Sequence, residues 1–437
     1  MIPAFIRQNR LAAIFIVVFL IQAALLLAAT PEITKSFSKT YGHGFADGYN
    51  KLALNLAEGN GYRFYPDTAE TLMREPGYPL FLAAVFKIFG YSLLAARFAN
   101  LVLAFGIAWL IVQLARRVSS NDVAILSAPL LFLFHPGTVV AVARGSVEIL
   151  FILLVMIFMV ALYRALESGD RKHYLLAGGV LGICVLVRGT VLLFPVFLAA
   201  YALFVYGGNR QRWKTIANIG VLTLAMVIVM MPWIVRNYLV VNQFVPTASV
   251  QGVAAHAGQY ICKNLSFDNG FQVVDRDAAR EREELARSQG YAFRSGYYQY
   301  FYSSKDEVAF SRFLLRQVVS GYLEAPELFL KCTSANLFNF WFSGKTWRVT
   351  GLNVIVQLPY LVFAIVGAWL VIRSGRGASV FPMILFVVYL ISVHAPIHAQ
   401  ARYSIPLVPI LSILAGAAIG EIWERRKARV ATTRKNN

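Results

Sequence analysis

The stretch GHGFADGYNKLALNLAEGNGYRFYPDTAETLMREPGYP, residues 42–79, is a polar insert in an otherwise apolar chain. In front of it, Leu11 to Thr30 carries no charge and is long enough to cross a bilayer. Within it stands one isolated carboxylate, Asp47, followed by Tyr49 and a short amphipathic piece that ends at Gly59 and Gly61. A rigid turn, Arg74-Glu75-Pro76-Gly77-Tyr78-Pro79, closes it. The sober role for Asp47 is an N-cap on a helix from Tyr49 to Ala57, which leaves room for a chemical one.

The rest of the chain explains why a polar insert stands out. Of 437 residues, 58% are hydrophobic and only 14% charged, more apolar surface than a soluble core of this length needs. The apolar runs are long, not alternating. In lipid every backbone polar group must be paired internally, so this pattern selects an all-α polytopic membrane protein over a barrel. The net charge of +19 does not argue for nucleic acid, because the Lys and Arg residues sit in short loops between apolar runs, where they set topology.

Taken in order, the runs after Leu11–Thr30 are Leu93–Leu114, Val123–Phe134, Glu148–Tyr163, Tyr174–Val187, Thr190–Tyr206, Ile216–Pro232, Val354–Ile372, Val380–Val393 and Ser404–Trp423. That makes about ten spans. Tyr78–Phe89 is too short to span comfortably and reads as an interfacial or re-entrant helix. Arg7 and Arg10 precede the first run, and each short loop on their side carries two or more Lys or Arg, so both termini are expected in the cytoplasm. Leu11–Thr30 reads as an uncleaved anchor.

The expected division is an N-terminal membrane module, 1–232, with its first outer loop at 31–92; an extracytoplasmic region, 233–350; and a C-terminal membrane module with a basic tail, 351–437. Within 233–350, Asp275–Ser288 reads as a polar surface helix with paired charges, Asp306–Tyr322 as amphipathic, and Pro326–Phe342 as interfacial, with an eleventh span as the alternative. Cys262 and Cys332 fall in this region. An oxidising compartment permits a disulfide between them, and spacing alone leaves two free thiols equally open.

With this topology the polar residues that do not suit a membrane gather on the outer face. They are Asp47, Arg74, Glu75, Arg97, Arg144, Glu148, Arg188, Arg236, His256, His394, His398 and Arg402. An ionisable group near hydrocarbon is costly unless paired or wet, so the set points to a shared site. Any one Arg has snorkelling as its ordinary explanation. For Glu148, in the first turn of its run, that explanation is the helix dipole.

Together these residues resemble the glycosyltransferase C superfamily, in the branch of the protein O-mannosyltransferases and the lipid A aminoarabinose transferase. The resemblance runs through Asp47, Tyr49, Gly59 and the turn 74–79, then Gly90 with Arg97, and Glu148 at the start of its run. It continues in Ala177-Gly178-Gly179-Val180-Leu181-Gly182 followed by Arg188, in Pro232-Trp233-Ile234-Val235-Arg236-Asn237 with Phe244-Val245-Pro246 behind it, and in Arg402-Tyr403 before Pro406 and Pro409. Two departures stand out. Gly48 follows Asp47 where the mannosyltransferases have an Asp-Glu pair, and the turn is Arg-Glu-Pro-Gly where the aminoarabinose branch has Glu-Lys-Pro-Pro. Acceptor class and any divalent metal are therefore left open, with His256 as the metal candidate by family analogy.

The resemblance implies a sugar donor linked to polyprenyl phosphate, used on the outer leaflet side of the plasma membrane. The acceptor would be a lipid, a glycan or a protein. The lipid phosphate leaves as an anion and needs fixed positive charge, for which Arg236, Arg402, Arg188 and Arg74 are the candidates in that order. A carboxylate must take the acceptor's proton: Asp47 first, Glu148 second or assisting. Direct displacement would invert the anomeric centre; a covalent route would need two close carboxylates. Glu75, Tyr49, Tyr78 and Tyr403 complete the expected substrate-binding set. The competing readings are a lipid or solute transporter and a surface-polysaccharide polymerase or ligase. The chain has no internal repeat of the transporter kind, and its charges lie at one face.

Overall fold

A computed structural model describes residues 12–28, 48–205, 208–266, 268–296 and 298–436. Its chain is almost wholly helical. The first helices are α1 (Ala12–Ala28), α2 (Tyr49–Glu58), α3 (Gly77–Phe89) and α4 (Leu93–Val118). Then come α5 (Asp122–Phe134), α6 (Pro136–Arg144), α7 (Val147–Ser168) and α8 (Arg171–Val187). A single 3-10 turn, Gly189–Val191, leads to α9 (Phe194–Val205) and α10 (Asn209–Val241).

Local chemistry sets several of these ends. The Ser92 hydroxyl accepts from the Ala95 amide at the start of α4, and the Asn121 side chain accepts from Val123 and Ala124 at the start of α5. Gly48, at φ 78°, occupies the N-cap of α2, so the cap expected of Asp47 falls to its neighbour. Asp47 itself lies outside the described residues. Sequence reading stops one run at His135-Pro136-Gly137. The chain instead bends by 50° there and continues as α6, with Pro136 in the first turn and His135 Nδ1 accepting from the Gly137 amide at 3.1 Å. Nor does Pro232 end its span: α10 continues through it to Val241 and carries Trp233 and Arg236 along.

Small residues bring the helices together. Gly178 and Gly182, four apart on α8, face α10; a Cβ on Gly178 would overlap the Leu222 carbonyl, and one on Gly182 would lie 2.8 Å from the Met226 carbonyl. Phe194 of α9 sits edge-on to Phe158 of α7 at 5.7 Å. The last helices are α15 (Trp347–Val371), α16 (Phe381–His394) and α17 (Val408–Asn436). Gly367 of α15 packs against the backbone of Leu414 of α17, and Phe386 of α16 closes on Phe194 at 5.3 Å.

Among the described residues, five helices are long and apolar enough to cross a membrane, or six if α5 and α6 count as one broken span. Ala12–Ala28, Gly77–Phe89, Gly189–Val205 and Phe381–His394 are apolar but shorter, so the ten crossings read from sequence stay an expectation. At one end of the bundle the basic turns converge. Arg117 pairs with Glu167, and Arg376 donates to the Val118 carbonyl at 3.0 Å.

Residues 242–350 fold over the other end. They form α11 (Gln251–Asn264), α12 (Gly270–Ser288), a two-residue antiparallel pair β1 (Phe293–Arg294) and β2 (Tyr300–Phe301), α13 (Ser304–Glu324) and α14 (Pro326–Phe342). The three helices expected within this region are all present. Cys262 of α11 and Cys332 of α14 form a disulfide, which decides between the two states left open by spacing. Leu52, Phe64, Met73, Trp233, Phe301, Phe310 and Leu314 make a shared apolar cluster that joins this region to α2, the loop behind it and α10.

Candidate active site

The turn that delivers Arg74 and Glu75 is held from both sides. The Tyr62 hydroxyl donates to the carbonyls of Arg74 and Glu75, each at 3.0 Å. Arg74 Nη2 donates to the Tyr298 hydroxyl at 2.5 Å, and its guanidinium lies over the rings of Tyr49 and Tyr298. Glu75 Oε1 accepts the Gly189 amide at 3.0 Å. Burial pushes the Glu75 carboxyl up, against the pull of its backbone bonds and of Arg74 and Arg188. Only glycine fits at 189: a Cβ there would stand 2.7 Å from that same Oε1.

Helix α8 ends where Arg188 turns extended, with φ −154° and ψ 113°. Its guanidinium reaches Glu148 Oε1 at 3.4 Å and lies over the rings of Tyr403 and Phe151. Glu148, 5% exposed, stands in the first turn of α7. Arg402 lies over the ring of Tyr403, which packs against His394 and His398. Gln400 donates to His398 Nε2 at 2.9 Å, which fixes a neutral ring. Burial, then the charges of Arg402, His394 and Arg282, pull His398 down to about 3.

These groups line one cavity of about 370 Å³ at the end of the bundle covered by residues 242–350. Of the residues singled out from sequence, Tyr49, Arg74, Glu75, Glu148, Arg188, His394, His398, Arg402 and Tyr403 share it. Tyr78 does not. It lines a small adjoining pocket with Tyr49, Glu148 and Arg402, and its hydroxyl donates to the Gly145 carbonyl. Arg236 is also absent, although it ranks first as a phosphate ligand on sequence. It donates to the Thr71 carbonyl at 2.9 Å, pairs with Glu70 at 3.0 Å and lies over the rings of Tyr62 and Trp233. It fastens the loop and does not face the cavity.

Sequence reading missed part of the wall. Asp275 and Arg282 of α12 line the cavity, as do Thr247, Gln251 and Tyr298. The paired charges of 275–288 read as a solvated helix. Its buried face is Val274, Ala278, Arg282 and Ala286, a stripe four residues apart, and an Arg inside such a stripe was the available signal. His256 approaches Glu281 at 3.7 Å, and burial pulls its ring down to about 4. No three His, Cys, Asp or Glu side chains converge to hold a metal ion among the described residues.

An end-on cavity of arginines and carboxylates in a bundle of apolar helices defines a class: polytopic membrane proteins whose site faces a polar covering region. The sequence profile of the dolichyl-phosphate-mannose-protein mannosyltransferase family matches residues 73–235. In fold the chain is similar to the archaeal oligosaccharyltransferase AglB from Archaeoglobus fulgidus, solved with an inhibitory peptide and a dolichol-phosphate. The TM-score is 0.53 at 13% identity, over 96% of this chain and 52% of that one. A second structure of the A. fulgidus oligosaccharyltransferase, tethered to an acceptor peptide, gives 0.52 at 14% identity, over 94% and 50%. ArnT from Cupriavidus metallidurans, bound to undecaprenyl phosphate, aligns at 0.40 and 13% identity, over 91% and 77%. The chain thus spans about half the length of the oligosaccharyltransferase it matches. No protein of curated function matches it in sequence. The resemblance read from the sequence thus has a family match over 73–235, and the fold is shared with the oligosaccharyltransferase over nearly the whole chain.

Proposed function

We propose that this chain is a membrane glycosyltransferase that moves a sugar from a polyprenyl-phosphate donor to an acceptor hydroxyl on the extracytoplasmic face. The observation that carries the reading is the convergence of Arg74, Arg188 and Arg402 in one cavity beside Glu75 and Glu148. A departing lipid phosphate needs no proton, but it needs cations already in place, and guanidinium forks supply them without reorganisation. The oligosaccharyltransferase of similar fold was captured with a dolichol-phosphate, which favours a lipid phosphate in this cavity too.

The acceptor's proton goes to a carboxylate. Glu148 is tied to Arg188, and Glu75 to the Gly189 amide, so each has a positioning task already. Asp47 keeps the role of general base. Glu148 assists by holding Arg188 in place. With neither engaged acid serving as a nucleophile, the reaction is a single displacement with inversion. The Cys262–Cys332 disulfide suits an oxidising compartment and so an outward-facing covering region, with the basic turns inside.

The test is transfer of labelled sugar from polyprenyl-phosphate donors in membranes holding the full chain. Asp47→Asn is expected to lose at least about 100-fold in kcat with the donor KM little changed, the loss typical of a positioned general base. Full activity in that variant would remove Asp47 from the mechanism. Lipid movement without a glycoside product would replace the enzyme reading with the transporter.

A further inference from the structure

Helix α13 contributes no side chain to the cavity, yet one of its residues is bonded to two of the cavity's walls. Glu307, 6% exposed, spends its carboxylate on three donors, none from its own helix. Oε2 accepts from the Thr71 hydroxyl at 2.6 Å. Oε1 accepts from the Leu72 amide at 2.8 Å and from the Ser249 hydroxyl at 2.6 Å. The two segments are also bonded directly, Ser249 amide to Leu72 carbonyl at 2.7 Å. One turn further along α13, the Ser311 hydroxyl donates to the Ser249 carbonyl and accepts the Gly252 amide. Glu307 and Ser311 thus grip 249–252 from one helix face.

What these segments carry makes the grip consequential. Two residues past Leu72 is Arg74, then Glu75; on either side of Ser249 are Thr247 and Gln251. All four line the cavity. Glu75 in turn bonds the Gly189 amide, next to Arg188. We infer that Glu307 is a positioning residue: from outside the cavity it sets the spacing between the Arg74–Glu75 turn and the 247–251 wall, and through Glu75 the seat of Arg188. Its effect on activity rests on the glycosyltransferase reading; its effect on the two segments does not.

Two measurements on the full-length protein decide this. In Glu307→Ala all three donors lose their acceptor. Hydrogen exchange is expected to speed at least about 10-fold at the Leu72 and Ser249 amides, with α4 and α7 unchanged. In the transfer assay, kcat per folded molecule is expected to fall roughly 10- to 100-fold with the donor KM within twofold, because misplaced charge is felt mainly in the transition state. Glu307→Gln keeps one carbonyl acceptor, and the Thr71 hydroxyl can reverse to accept, so it is expected to recover most of both losses. Exchange at Leu72 and Ser249 unchanged in Glu307→Ala, or raised evenly through the protein, would overturn the inference. So would a kcat per folded molecule within twofold of wild type. If the wild type moves no sugar, the functional reading falls and the exchange comparison still decides this one.

Discussion

Gly189 brings together three demands that no other residue meets at once. It opens the 3-10 turn that follows α8, gives its amide to Glu75, and leaves room for that carboxylate beside Thr247. At the same scale, His398 and His256 set how the protein responds to acid. Their folded values, about 3 and about 4, lie below the ordinary 6.5. A depressed value means the unfolded chain takes the proton first. The contribution to stability is therefore complete above about pH 6.5 and is lost as pH falls toward 4 and 3, at up to about 1.4 kcal/mol per pH unit for each ring. In detergent, the thermal midpoint is expected to fall steadily from pH 7 to pH 4.5. His398→Gln, which cannot protonate, should flatten that slope; an unchanged slope would place the acid response elsewhere.

Among the elements, α11 and α14 show how the covering region is made to stay in place. Asn336 of α14 donates to the Ala395 carbonyl at 2.9 Å, and the backbone of α11 at Gly258 meets that of Ile397. Both helices thus hold the 394–400 wall, and the Cys262–Cys332 bond joins them across 70 residues of chain. Closing a loop of that length removes about 4 kcal/mol of unfolded-state entropy on the chain-entropy account. Cys262→Ser with Cys332→Ser is expected to lower the thermal midpoint by several degrees, and reductant should do the same to the wild type and nothing to the variant. Reductant acting equally on both would separate the effect from this bond.

For the whole molecule, the fold was legible because bilayers leave few options. Long apolar runs flanked by Arg and Lys give helices, and the small residues Gly178 and Gly182 mark where two of them touch. The candidate site was half legible. Arg74, Glu75, Glu148, Arg188 and Arg402 stand out because a charge at a span's end needs a reason. Arg236 shows the limit of that argument: its reason is a loop carbonyl and Glu70. Arg282 shows the opposite limit, a buried cation hidden inside a helix whose remaining charges are solvated. Neither outcome follows from spacing, because both depend on contacts between segments far apart in the chain.

The Glu148–Arg188 pair has a meaning for biogenesis as well as for chemistry. The cavity walls run from Tyr49 to Tyr403, so on a growing chain the cavity does not exist until Tyr403 has been made. For most of that time two ionisable side chains at the mouth of the α7–α8 hairpin have no cavity around them. They are only 40 residues apart, on helices that pack directly against each other, so they can neutralise one another as soon as that hairpin forms. Glu148→Gln would leave Arg188 alone at that stage. It is expected to reduce the amount of protein inserted in membranes several-fold, and Glu148→Gln with Arg188→Gln should restore the amount without restoring transfer. Equal insertion of the single variant and wild type would show that the translocation machinery tolerates the lone guanidinium.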